Sequence, residues 1–199
     1  MRLLLKCILF GVVTLLAGCA TPSIDPDYKV QGDTSRGVVW GTISYEGQFA
    51  DYQLHYKNNH TGETGFVRAE LVKIEGAKGG IFALSLPTGS YTLTGWKVST
   101  LYSSTSVSEV GSTFLSKGGD VNYIGRFHFS EKAQKSEAVI GLSIFDNSKH
   151  DQTLLSRMYP NIDISALVID VGFINTALCG SQLNEGVHCE KSIVNTPVR

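Results

Sequence analysis

Asp51-Tyr52-Gln53-Leu54-His55-Tyr56-Lys57 alternates three apolar or aromatic side chains, Tyr52, Leu54 and Tyr56, with four polar ones. Successive side chains of an extended backbone point to opposite faces, so a period of two describes a strand with one buried face and one polar face. Working outward, the same pattern recurs in Val38 to Tyr45, Phe66 to Ile74, Ile81 to Leu86, Tyr91 to Val98, Val121 to Phe129 and Ala138 to Phe145. Polar or glycine-rich breaks separate these runs, among them Asn58-Asn59-His60-Thr61-Gly62, Glu75 to Gly80 and Lys117-Gly118-Gly119-Asp120. Such breaks supply turn geometry, and short strands at even spacing predict a β-sandwich or barrel. The Ser/Thr-rich stretch Ser99 to Ser108 lacks sustained alternation and reads as a long surface loop or an edge.

One segment departs from this period. Asp146-Asn147 offers a helix N-cap, Leu154, Leu155 and Met158 share a helical face, and Pro160 ends the run, which predicts one short helix near 147–158. The following Ile162 to Ile174 is apolar and β-branched and is expected to add a last strand centred on Ala166-Leu167-Val168-Ile169.

Composition agrees with a folded β protein. Of 199 residues, 42% are hydrophobic and 18% charged, too apolar for a disordered chain, and 21 Gly with 17 aromatic Phe and Tyr lean toward strands and tight turns. Seventeen basic against eighteen acidic residues leave a net charge of -1 with neither sign clustered, so no nucleic-acid partner is expected.

The amino terminus carries a different message. Arg2 and Lys6 precede the apolar run Ile8 to Leu16, followed by small residues, the layout of an export signal. The run is shorter than the roughly 18 to 20 residues that cross about 30 Å of hydrocarbon, so cleavage is favoured over a permanent span. It ends in Leu16-Ala17-Gly18-Cys19, which resembles the lipobox of bacterial lipoproteins. That resemblance implies a diacylglycerol on the Cys19 sulfur, cleavage before Cys19, and acylation of the new amino group. The sulfur supplies the nucleophile, and small neighbours let the cleavage enzyme reach the backbone. Three acyl chains exceed the two-signal threshold for stable anchoring, so the expected partner is a membrane, reached through the lipid on Cys19. Ala20 follows the cysteine, where an Asp would imply inner-membrane retention, so the resemblance implies an outer-membrane anchor facing the periplasm. Removal of residues 1–18 leaves fifteen basic and eighteen acidic residues, a formal charge of -3 that gives no electrostatic help on anionic lipid.

Residues 20–36 contain Pro22, Pro26 and many polar residues without periodicity and read as a flexible tether. Fully extended at about 3.3 Å per residue, it would reach on the order of 55 Å. The expected organisation is therefore a signal peptide over 1–18, a lipidated cysteine and tether over 19–36, and a sandwich domain over 37–199.

Two further stretches carry a likeness. Leu86-Pro87-Thr88-Gly89-Ser90-Tyr91-Thr92-Leu93 resembles the strand-turn-strand of transthyretin-like and carboxypeptidase-regulatory-like sandwich domains, where Pro and Gly set the turn and Tyr and Leu alternate into the core. Phe114 to Gly125, with Tyr159-Pro160 beyond, is similar to uncharacterised bacterial envelope lipoproteins. Both imply an all-β, transthyretin- or immunoglobulin-like sandwich; neither carries catalytic residues.

Among chemistry-bearing residues, Cys179 and Cys189 remain once Cys7 is cut away and Cys19 acylated. In an oxidising periplasm they are expected to form a disulfide worth roughly 2 to 3 kcal/mol, the alternative being a metal or redox pair with His188. His55, His60, His128, His150 and His188 show no metal-ligand spacing, and no metal or other cofactor is expected. His55 and His128 fall on polar strand faces that strand pairing could bring together. No GxSxG, SxxK, GxxxxGK[ST] or GxGxxG pattern occurs, so no catalytic residue is assigned. The functional expectation is a non-enzymatic, membrane-anchored envelope lipoprotein that contacts another envelope protein through an edge strand or the 99–110 stretch. The alternative is a small-ligand or glycan binder using Trp40, Tyr45, Tyr52, Tyr56 and Trp96 as stacking surfaces. A third reading is a hydrolase with Ser, His and Asp assembled across strands.

Overall fold

The computed structural model describes residues 21–30, 34–46, 51–71, 78–99, 104–134, 137–169 and 177–181. The signal segment 1–18 with Leu16, Ala17 and Gly18, the cysteines Cys19 and Cys189, and His188 lie outside the described residues.

Two sheets pack face to face. Strands β1 (Arg36–Tyr45), β4 (Glu70–Leu71), β5 (Lys78–Pro87), β8 (Val121–Gln134), β9 (Glu137–Phe145), β10 (Leu167–Ile169) and β11 (Ala177–Ser181) form a seven-stranded sheet in the order β11-β9-β8-β1-β5-β4, with β10 also paired to β8. Strands β2 (Asp51–Asn58), β3 (Thr64–Arg68), β6 (Gly89–Ser99) and β7 (Ser104–Ser116) form the second sheet in the order β3-β2-β6-β7. With one α-helix among the described residues, α1 (Ser148–Met158), the chain is an all-β sandwich. Among the described residues, no helix is long and apolar enough to cross a membrane.

The alternation that marked the strands becomes burial. Tyr52, Leu54 and Tyr56 of β2 face the opposing Val39 and Ile43 of β1 and Phe127 and Phe129 of β8, all within one inter-sheet core. The Leu-Pro-x-Gly-x-Tyr-x-Leu stretch runs from the end of β5 through Thr88 into β6, and Tyr91 and Leu93 enter that core at 2% and 3% exposure. A second apolar cluster sits on the outer face of the larger sheet, where Trp40, Ile81 and Tyr123 are covered by Leu154, Leu155 and Tyr159 of the helical region. The helix lies here because its apolar stripe needs a partner surface, and Trp40, Ile81 and Tyr123 supply one on the outer face of this sheet.

Four readings from sequence need amendment. Of the two readings of the 99–110 stretch, loop or edge, the edge is what the described residues show: Ser104–Ser116 is a 13-residue strand that borders the smaller sheet by pairing with β6. Its Ser and Thr residues alternate on a two-sided surface, which conceals a strand from any hydrophobic pattern. The run 66–74 is divided, because β3 pairs with β2 and, one residue later, β4 pairs with β5 in the other sheet. In the tail, Ile164–Ala166 is a 3-10 turn and Leu167–Ile169 is a strand that is half-buried to exposed rather than a buried centre, while 170–174 lie outside the described residues. Finally, the expected tether is partly docked. Ile24 joins the outer cluster at 9% exposure, its N–H donates to Ala83 O at 2.8 Å, and Thr21 N–H donates to Phe66 O at 2.9 Å.

Candidate functional site

The outer face of the larger sheet changes from apolar to polar along β1 and β8. Val38 and Trp40 alternate with Thr42 and Ser44 on the same face of β1, and the parallel neighbour β8 places Val121, Tyr123, Arg126 and His128 beside them. The step from Tyr123 to Arg126 is three residues against two on β1, from Trp40 to Thr42, so β8 carries a bulge. Gly125 supplies it, with φ +120, a region that side chains rarely adopt. The bulge turns Ile124 and Phe127 into the core while Tyr123 and Arg126 both face outward.

Helix α1 delivers the counter-charge. Asp151 lies on the stripe that also holds Leu154, Leu155 and Met158, and it is fully buried at 0% exposure. Its carboxylate accepts from Thr42 Oγ1 at 2.7 Å, Tyr123 OH at 2.7 Å, Arg126 Nε at 3.4 Å, Arg126 Nη2 and Asn147 Nδ2 at 3.3 Å. Arg126 is 8% exposed, and its Nη2 also donates to His150 Nδ1 at 3.2 Å. Burial, then the adjacent Asp151 carboxylate, push the Tyr123 hydroxyl far above the ordinary tyrosine range, so it stays a neutral donor. At the helix start, Asp146 Oδ1 accepts from Ser148 N–H at 2.8 Å, while the Asn147 side chain reaches forward to Asp151 instead of capping. A closed ion pair of this kind fixes where the helix sits on the sheet; every carboxylate oxygen already has a donor.

One rung further along lies Ser44 beside His128. Ser44 Oγ and His128 Nδ1 are 2.9 Å apart, and His128 Nε2 is 3.7 Å from Glu46 Oε1. Serine, imidazole and acid therefore line up in the order of a nucleophilic triad. The hydroxyl, however, is sealed, since Ser44 is 1% exposed, and the partner acid is 66% exposed to water. Strand β1 is paired on both sides, to β5 and β8, which places its backbone N–H groups in ladders rather than at an oxyanion. This arrangement holds strands together without presenting a nucleophile.

The residues singled out from sequence fall elsewhere. His55 is on β2 in the smaller sheet and His128 on β8 in the larger, so strand pairing does not join them. His55 stacks on Phe66 at 5.3 Å, and Arg68 lies 5.2 Å over the same ring while pairing with Asp51 at 2.8 Å. Burial, and secondarily the Lys97 charge, hold the His55 imidazole below the usual histidine range. His60 is in the exposed β2–β3 turn, where Asn58 Oδ1 accepts from the His60 and Thr61 N–H groups at 2.8 and 3.0 Å. The aromatic stacking surface does not exist: Trp40 is 0% exposed, Trp96 1%, Tyr52 6% and Tyr56 7%, and Tyr45 stacks on Tyr52 at 4.1 Å. Core packing consumed those rings, since they sit on the inward or helix-covered faces. Cys179 lies on β11 opposite Gly141 of β9, with its expected partner Cys189 outside the described residues. Among the described residues, no group of three or more His, Cys, Asp or Glu is placed to hold a metal.

The Thr42-Tyr123-Arg126-Asp151 network was missed, although a trace was visible. An Asp at 151 shares the helical stripe of Leu154, Leu155 and Met158, and an acid on an apolar stripe announces a buried partner. Its basic mate could not be found, because the Gly125 bulge sets which way Arg126 points. Scans of protein-family models, curated proteins and solved structures each return no match to this chain.

Proposed function

We propose that the protein is a lipid-anchored lipoprotein of the cell envelope, held at the periplasmic face of the outer membrane through Cys19, that works by binding another envelope protein rather than by catalysis. The observation that carries the reading is Leu16-Ala17-Gly18-Cys19 at the end of a short apolar run behind Arg2 and Lys6. The body supports it. The buried Thr42, Tyr123, Arg126 and Asp151 are spent on docking α1, whereas β7 borders the smaller sheet with Ser104, Ser106, Thr113 and Leu115 exposed, β11 of the larger sheet lying beside part of that border. Border strands carry backbone donors and acceptors on one side that a partner strand can complete. The local likeness of the Leu86–Leu93 turn to transthyretin-like domains fits such a binding module, and so does the envelope-lipoprotein likeness of Phe114 to Gly125.

The test is fractionation with intact-mass analysis of the wild type and Cys19→Ser, followed by in-cell crosslinking. Wild type carrying acyl mass and sedimenting with outer membranes, with an anchor-dependent crosslinked protein, is the expected result. An unmodified, freely soluble wild type refutes the anchor; acylated protein without a crosslinked partner refutes the binding role.

A further inference from the structure

The segment that follows the lipobox is built into the sandwich. Where β3 passes into β4, the chain crosses from the smaller sheet to the larger and, among the described residues, leaves border groups of both sheets open: β3 pairs with β2 alone, and β4 pairs with β5 at Gly80 and Ile81 alone. Residues 21–24 fill both gaps. Thr21 N–H donates to Phe66 O of β3 at 2.9 Å, Ile24 N–H donates to Ala83 O of β5 at 2.8 Å, and Ala83 N–H donates to Ser23 Oγ at 3.4 Å. Side chains fasten the same contact. Thr21 Oγ1 and Tyr56 OH are 2.5 Å apart, in a notch kept open by Gly65, where a Cβ would come within 2.5 Å of Tyr56 OH and 2.7 Å of Thr21 Oγ1. Ile24 is buried beside the outer cluster, and further on Tyr28 OH donates to Ser85 Oγ at 3.3 Å while Asn161 Nδ2 donates to Asp27 O at 3.1 Å.

We propose that residues 21–24 are a membrane-proximal clamp, so that the acylated Cys19 leaves the domain directly from the β3 border and holds that border against the lipid headgroups. This rests on the anchoring reading above and extends it. Only Ala20 separates Cys19 from Thr21, two residue steps with a reach of about 7 Å against the on the order of 55 Å of a free 17-residue tether. The domain is thereby oriented as well as anchored. Strand β7, at the opposite border of the order β3-β2-β6-β7, is turned away from the membrane by three interstrand steps, about 14 Å.

Neutron reflectometry of the full lipidated protein in a supported phosphatidylethanolamine and phosphatidylglycerol bilayer tests this directly. The clamp requires a protein layer that begins within about 10 Å of the headgroups. Thr21→Pro deletes the N–H that bonds Phe66, and Gly65→Ala crowds the notch; each should move the layer outward by roughly 10 Å or more while far-UV circular dichroism keeps the β signal. A wild-type layer separated from the headgroups by tens of Å of water overturns the clamp even if both variants misfold. Folded variants that leave the layer unmoved overturn it as well. Intact mass without acyl chains overturns the anchor itself, a failure distinct from an acylated protein that stands off the bilayer.

Discussion

Replacing Asp151 with Asn keeps the shape of the side chain and removes its charge, which isolates the buried ion pair. The carboxylate is fully buried and accepts from Thr42, Tyr123, Arg126 and Asn147, while Arg126 is left 8% exposed with no other carboxylate recorded beside it among the described residues. Removing one member of a buried pair strands the other charge in low dielectric, which costs about 3–5 kcal/mol. For a chain of this size, each kcal/mol lowers the melting temperature by about 2–4 °C, so a fall of roughly 6–20 °C is expected. Urea titration followed by tryptophan fluorescence reads this well. Trp40 packs on Tyr123 at 4.6 Å beneath the helix, and Trp96 sits in the inter-sheet core against Phe129 at 5.6 Å. The double substitution Asp151→Leu with Arg126→Met removes both charges and should be less damaging than Asp151→Asn alone, since apolar replacement of a buried pair is often close to neutral. A loss under about 1 kcal/mol for Asp151→Asn, the value of a solvated surface pair, would refute the claim that this network fixes the helix.

Three other outcomes follow from the same geometry. Leu155→Ala, at a 0% exposed position between α1 and the sheet, should cost about 2–5 kcal/mol by urea titration, and a cost near zero would mean that the helix is not packed there. The His55 pKa is lowered in the fold, so the unfolded chain binds its proton first as pH falls; stability should decline on acidification through about pH 6.5, and His55→Gln should flatten that decline in a melting series. Iodide should scarcely quench the tryptophans, as Trp40 and Trp96 are 0% and 1% exposed, whereas strong quenching would revive a surface stacking platform.

The chain itself specified the strands and the helix wherever burial is one-sided. The alternation of Tyr52, Leu54 and Tyr56, the Pro87-Gly89 turn and the Leu154-Leu155-Met158 stripe each write a local period that survives folding, because hydrophobic burial selects one face. The proposed lipobox, Leu16-Ala17-Gly18-Cys19, is legible for a different reason: its four residues are contiguous, so reading it needs no fold. What sequence could not supply is any relation between distant segments. Trp40 and Trp96 resemble a binding surface until the sheets close over them. Strand β7 carries too few apolar residues to show its period, and it is held by its pairing with β6. The Arg126-Asp151 pair depends on a bulge at Gly125 and on a helix docked 25 residues later, and Thr21 meets Phe66 only because two sheet borders lie open side by side. Periodicity fixes which face of an element is buried; register and docking decide which residues from elsewhere share that burial, and those are properties of the closed sandwich.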